Sequence, residues 1–154
     1  MFGPRRSLVF LCGALSMAAA ACGSAPEEKS GGDAYRNEAQ QMPLDEWVTG
    51  ELDLDEGDTT DWKSVVIDAA GKLTFELKAD KKGAVVFVGV YDKYGEAIGY
   101  GVRKSGAELL QVPVKAKTEG PYFVRIVHKD GAKTAYSVRA VMGDGGGGDA
   151  VPDL

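Results

Sequence analysis

The sequence predicts an all-β protein, an antiparallel β-sandwich of jelly-roll type with about eight strands, set between a disordered N-terminal tether and a disordered glycine-rich tail. Three observations predict it. Apolar residues between Trp47 and Met142 recur with period two, as on strands with one face buried and one wet. Turn-forming pairs interrupt these runs at short, regular intervals: Ala70-Gly71, Lys82-Gly83, Tyr94-Gly95, Ser105-Gly106, Glu119-Gly120 and Asp130-Gly131. No stretch of about ten residues in that region carries the 3.6-residue period of an amphipathic helix.

The elements follow in chain order. Arg5 and Arg6 precede an apolar, small-residue run over residues 8–21 that ends at Cys22, the pattern of a secretory signal peptide over residues 1–21. The run falls short of the roughly 18–20 apolar residues a bilayer requires, and Gly, Ser, Pro and Glu follow it rather than basic stop-transfer residues, which argues against a permanent membrane span. Residues 22–42 read as a flexible tether: Gly, Ser, Ala, Pro, Glu and Asn dominate, and Tyr35 is the only aromatic. A leash of this length spans roughly 25 Å, enough to lift a small domain clear of a membrane surface. The folded domain is expected over 43–142. Residues 143–154 form a tail with no side chain to pack in its glycine-rich stretch.

Within the domain, 47–52 and 61–67 open the strand series. Leu73, Phe75 and Leu77 alternate with Lys72, Thr74, Glu76 and Lys78, which gives that strand one buried face. The run 85–90 is apolar and β-branched on both faces, as a central strand is. A short strand over 96–101 follows, then 109–114, where Pro113 requires a sheet edge or a bulge because it has no N–H to donate. Strands over 122–127 and 136–142 complete the set.

The chain carries a net charge of −5; removing residues 1–21 takes away two arginines and no acid, leaving 16 basic against 23 acidic residues and a net charge of −7. An acidic surface argues against nucleic acid or anionic headgroups as primary partners. Cys12 falls within the signal, so Cys22 is the one cysteine of the mature chain and no internal disulfide can form.

Ala19-Ala20-Ala21-Cys22 resembles a bacterial lipobox, in which small residues fit the signal peptidase cleft and the cysteine thiol receives a diacylglyceryl group. It departs from the usual pattern in having Ala19 where Leu is common, so ordinary Ala-x-Ala cleavage without a lipid is the alternative. The resemblance implies a membrane held through lipidated Cys22. Gly23, in place of the Asp that retains lipoproteins at the inner membrane, implies outer-membrane sorting if the organism is diderm.

Four segments in order resemble the bacterial pre-peptidase C-terminal domain: Gly57-Asp58-Thr59-Thr60-Asp61-Trp62, Gly71-Lys72-Leu73-Thr74-Phe75, Val90-Tyr91-Asp92-Lys93-Tyr94-Gly95 and Gly120-Pro121-Tyr122-Phe123-Val124-Arg125-Ile126, with Tyr136 in the last strand. The likeness covers about residues 50–141 and implies a jelly-roll-like sandwich with an accessory role. No peptidase is attached, a departure from the commonest arrangement that puts in doubt any inhibitory or protease-targeting role. In this reading Asp61 accepts backbone N–H groups at a turn while the Trp62 indole enters the core.

The sharpest chemical feature is a run of eight acids, Asp45 to Asp61, with no base among them. Asp53, Asp55, Glu56, Asp58 and Asp61 could wrap a Ca²⁺ ion, since a hard cation wants several carboxylate oxygens, and some members of the resembled family bind calcium near the start of the domain. The spacing is not that of an EF-hand, and the other reading is an acidic solvated edge that discourages strand pairing. His128 is the single histidine and reads as a rim residue of its strand, on the parity of Val124 and Ile126. Ser64, Ser105 and Ser137 lie outside any nucleophile-elbow pattern. Tyr94 and Tyr100, in or beside turns, could stack a sugar or could cover the sandwich ends. Together these features predict a non-enzymatic, secreted and lipid-anchored envelope module that binds or props an envelope protein or glycan. A calcium- or carbohydrate-binding module is the alternative.

Overall fold

The structure is a computed structural model that describes residues 31–143. The expected signal sequence with Cys12, the expected lipidation site Cys22, Gly23, the part of the expected tether before residue 31 and the tail after Gly143 lie outside the described residues.

Nine strands form the domain: β1 Gln40–Gln41, β2 Val48–Leu52, β3 Thr60–Ile67, β4 Gly71–Ala79, β5 Val85–Tyr91, β6 Ala97–Arg103, β7 Leu110–Ala116, β8 Gly120–Asp130 and β9 Thr134–Met142. They pair as a five-stranded sheet in the order β1-β3-β8-β5-β6 and a four-stranded sheet in the order β2-β9-β4-β7. Only β5 and β6 are both consecutive and paired; every other connection crosses from one sheet to the other, as in a jelly roll. The two inner faces share one interior, where Val65, Val88, Val124 and Ile126 meet Leu73, Phe75, Leu77 and Val138. The predicted strands are all present. β5 lies between β8 and β6, as its two apolar faces require, and Pro113 lies on edge strand β7.

The ninth strand is the two-residue β1, which runs parallel to β3 while all other ladders are antiparallel. It belongs to a stretch, 33–42, that the sequence reading assigned to the flexible tether. That assignment is corrected here: Asp33, Ala34 and Met42 are buried. Polar anchors compensate for the sparse apolar surface. The Trp62 N–H donates to the Asp33 carbonyl at 2.8 Å, and the Met42 N–H donates to the Ser64 carbonyl at 2.8 Å. The Arg36 guanidinium donates to the Asp92 and Lys93 carbonyls at 3.0 and 2.7 Å and lies 4.3 Å over the Phe123 ring.

A second correction concerns β3. Asp61, Lys63, Val65 and Ile67 face the interior, and Trp62, Ser64 and Val66 face outward. Trp62 therefore packs on the outer surface, half-buried, 5.1 Å from the Tyr91 ring, rather than entering the core. The valine and isoleucine at the end of the strand set its parity, and the bulk of one tryptophan does not overturn two buried aliphatic positions.

The Gly99-Tyr100-Gly101 segment has a packing reason. Both glycines face the interior at the edge where β6 approaches β7; a Cβ on Gly99 would overlap the Val114 side chain, and one on Gly101 would stand 2.9 Å from Val112. Tyr100, between them, points outward from mid-strand rather than sitting in a turn.

Candidate functional site

The interior of the sandwich contains a charged cluster that the sequence did not announce. Lys63 donates from Nζ to Asp33 at 2.5 Å and to Gln40 at 2.8 Å, and stands 3.9 Å from Asp61. The Tyr136 hydroxyl, on β9 of the opposite sheet, reaches across to donate to Asp61. Asp61 and Lys63 are 4% and 3% exposed, beneath a small cleft whose walls include Thr49, Glu51 and Asp58. Burial pushes the Asp61 carboxyl up to about 7 from an ordinary 3.8; the charges of Asp33 and Asp58 add to the rise, and Tyr136 and Lys63 oppose it. Burial also raises the Tyr136 hydroxyl well above its usual value. The cluster ties the two sheets and the 33–42 strap together.

Asp61 sets a pH dependence. An acid with a raised folded pKa holds its proton more tightly in the fold than in the unfolded chain, so its contribution to stability is fully present below about 3.8 and is lost as the pH climbs to about 7. Asp61→Asn removes the charge and keeps an oxygen to accept from Tyr136. The variant is expected to be more stable than the parent at pH 8, by about 1–4 kcal/mol, with the difference closing toward pH 4. Urea unfolding at both pH values checks this; an equal difference at pH 4 contradicts it.

The acidic loop is organised by its own backbone. The Asp53 carboxylate accepts the Asp55 and Glu56 N–H groups at 3.0 and 3.2 Å, the Asp53 N–H donates to the Asp58 carbonyl at 2.7 Å, and Gly57 takes φ 84° to close the turn. Asp55 and Glu56 are exposed, whereas Asp61 is turned inward to Lys63 and Tyr136. The five acids do not converge, and among the described residues no three His, Cys, Asp or Glu side chains come together as a metal cage.

His128 keeps the predicted parity but is buried, 2% exposed, rather than standing at an open rim. Neither ring nitrogen has a well-formed hydrogen bond, and burial lowers its pKa, which holds the imidazole neutral. An enclosed neutral ring has no path to a substrate.

The exposed chemistry lies on the outer face of the five-stranded sheet. The strand registers align Trp62 on β3, Arg125 on β8, Gly89 on β5 and Tyr100 on β6 in one row across the sheet. Phe87 and Tyr91, two positions either side of Gly89, lay their rings over the glycine: a Cβ there would stand 3.1 Å from both. The Tyr100 ring stacks on Phe87 with centroids 6.5 Å apart and planes 19° apart, and Tyr100 is 78% exposed. The Arg125 guanidinium lies 6.0 Å over Trp62 and makes no ion pair or hydrogen bond among the described residues. Tyr94, 82% exposed, sits instead in the β5–β6 turn with Lys93 beside its ring, so the two tyrosines singled out in the sequence do not form one site. Sequence reasoning missed Trp62, Phe87, Tyr91 and Arg125 as surface residues, because only the register brings them onto one face.

No protein-family model and no curated protein sequence matches the chain. Among solved structures it is similar to the pre-peptidase C-terminal domain of a collagenase from Bacillus anthracis, with 16% identity, a TM-score of 0.55, and coverage of 66% of this chain and 93% of that one. A periplasmic inhibitor of g-type lysozyme from Aeromonas hydrophila matches more loosely, at 13% identity and a TM-score of 0.39 over 66% of this chain and 96% of that one. The first likeness shows the fold: the chain has the β-sandwich fold seen in that pre-peptidase C-terminal domain.

Proposed function

We propose that this sandwich is a non-catalytic accessory module of the bacterial cell envelope, anchored through a lipid on Cys22 and working by binding a component of the envelope on the outer face of its five-stranded sheet. The observation that carries the reading is that face. Tyr100 stands exposed on it beside half-buried rings and a half-buried arginine that makes no ion pair among the described residues, whereas the single histidine is enclosed and the interior charges are spent on one another. The anchor is supported by Arg5 and Arg6, the apolar run and Ala19-Ala20-Ala21-Cys22. No helix among the described residues is long and apolar enough to cross a membrane. In a diderm organism Gly23 directs the lipoprotein outward.

Mass analysis of the mature N-terminus tests the anchor: acyl mass on Cys22 is expected, and Cys22→Ser is expected to release the protein from the membrane fraction. A mature chain that begins at Cys22 without lipid overturns the anchor. Affinity capture of the protein from its own envelope, with mass spectrometry of co-purified protein and composition analysis of co-purified glycan, tests the binding role.

A further inference from the structure

We infer that the outer face of the five-stranded sheet is a docking surface for a carboxylate-bearing polysaccharide, a uronate polymer, lying across the strands; this rests on the accessory-module reading and names its ligand. Three features of the face point to that chemistry. Tyr100, 78% exposed, stands among the half-buried rings of Phe87 and Tyr91 that close over Gly89, and a pyranose can offer its C–H face to such an exposed ring. The row from Trp62 to Tyr100 spans three strand intervals, roughly 14 Å, long enough for more than one sugar ring and open enough for a polymer to pass side-on.

Charge then selects the sugar. In a chain of net charge −5, the register places no carboxylate at an outward position over 60–66, 87–91, 100–102 or 121–127. Arg125, half-buried in the middle strand of this face, makes no ion pair among the described residues, and the Lys129 ammonium lies 5.8 Å over Phe87 at its margin. A guanidinium left without an acid is matched to an incoming carboxylate, which it can hold with two parallel N–H bonds. Besides Tyr100, the large apolar side chains exposed on the face are Val66 and Val102, and a second copy seated there is an outcome the test must separate. One central arginine is likewise too few for a nucleic-acid strand, which carries a charge on every nucleotide.

The test is isothermal titration of the full-length protein with oligogalacturonate, with the same oligomer methyl-esterified at its carboxyls, and with a thymidine oligonucleotide. The acid oligomer is expected to bind and to weaken as salt rises to about 0.5 M, with its ester roughly tenfold weaker. Arg125→Gln and Tyr100→Ala are each expected to cost roughly tenfold or more, Tyr94→Ala to cost nothing, and all three to keep the parent melting temperature. Three results overturn the inference: no binding by the folded protein, equal binding of acid and ester, or tighter binding of the oligonucleotide. Sedimentation showing a dimer that Tyr100→Ala abolishes also overturns it, by assigning the face to a second copy. None of these touches the acyl mass on Cys22 or envelope capture, so the anchored-module reading stands or falls separately.

Discussion

Replacing Lys63 by methionine is expected to destabilise the domain by about 3–5 kcal/mol at neutral pH, the range seen when one partner of a buried ion pair is removed. Methionine fills much of the same volume, so the loss is electrostatic rather than a cavity. Asp33, 3% exposed, would lose the ammonium 2.5 Å away, and Gln40 would lose its donor. Acidification is expected to recover part of the loss, because Asp61 can take up a proton and cease to need a cation. The double replacement Asp33→Asn with Lys63→Met is expected to be less damaging than Lys63→Met alone, since a neutral amide is less costly to bury than an orphaned carboxylate. Denaturant midpoints of the parent, the single and the double variants decide it; additive losses would mean the pair is not coupled. Limited proteolysis adds a second readout. If Lys63 is what holds the 33–42 strap, cleavage near Arg36 should accelerate in the single variant while the sandwich itself stays resistant.

The same cluster explains what could and could not be seen in the sequence. Strands were legible because their signal is local: Leu73, Phe75 and Leu77 alternate with polar residues, and Pro113 announces an edge, whatever the rest of the chain does. The inward turn of Asp61 and Lys63 was not legible, because charged residues on the buried parity are tolerable only with partners. Those partners are 75 residues away in Tyr136 and 30 residues away in Asp33. Without them a tryptophan is the natural inward residue, and that is how Trp62 was misplaced. The strap failed for a related reason. Composition reports apolar area, and residues 33–42 are held mainly by backbone and charged hydrogen bonds to β3 and to the β5–β6 turn.

The outer face shows a different limit. Tyr100 was legible as an exposed aromatic beside glycines, but the row Trp62, Arg125, Gly89, Tyr100 draws one residue from each of four strands. A shift of one residue in any ladder would send its member to the core. The eight acids before Trp62 were conspicuous and misleading as a ligand set. Asp53 is consumed in ordering its own turn and Asp61 in joining the two sheets. Residue type was readable there; direction was not.

Gly50→Val is expected to cost roughly 2–5 kcal/mol, and it tests the contact on which the joining of the sheets depends. Gly50 on β2 pairs with Tyr136 on β9, and the tyrosine ring lies so close beneath the glycine that a Cβ would overlap its hydroxyl and adjoining ring carbons. That closeness aims the hydroxyl across the sandwich at Asp61. A valine must either push the Tyr136 ring aside, which breaks the bond to Asp61 and leaves a buried acid without its donor, or lift β2 from the sheet edge. The two routes separate experimentally. If the ring moves, Tyr136→Phe alone should reproduce part of the loss, about 1–3 kcal/mol, and the two variants together should fall short of their sum. Shrinking the ring in Gly50→Ala with Tyr136→Leu should then recover stability relative to Gly50→Ala alone. If β2 lifts instead, amide exchange should rise along 48–52 while Tyr136→Phe adds its full cost. A Gly50→Val protein as stable as the parent would mean that β2 sits farther from β9 than the structure shows, and that Tyr136 is free to reach Asp61 by another path.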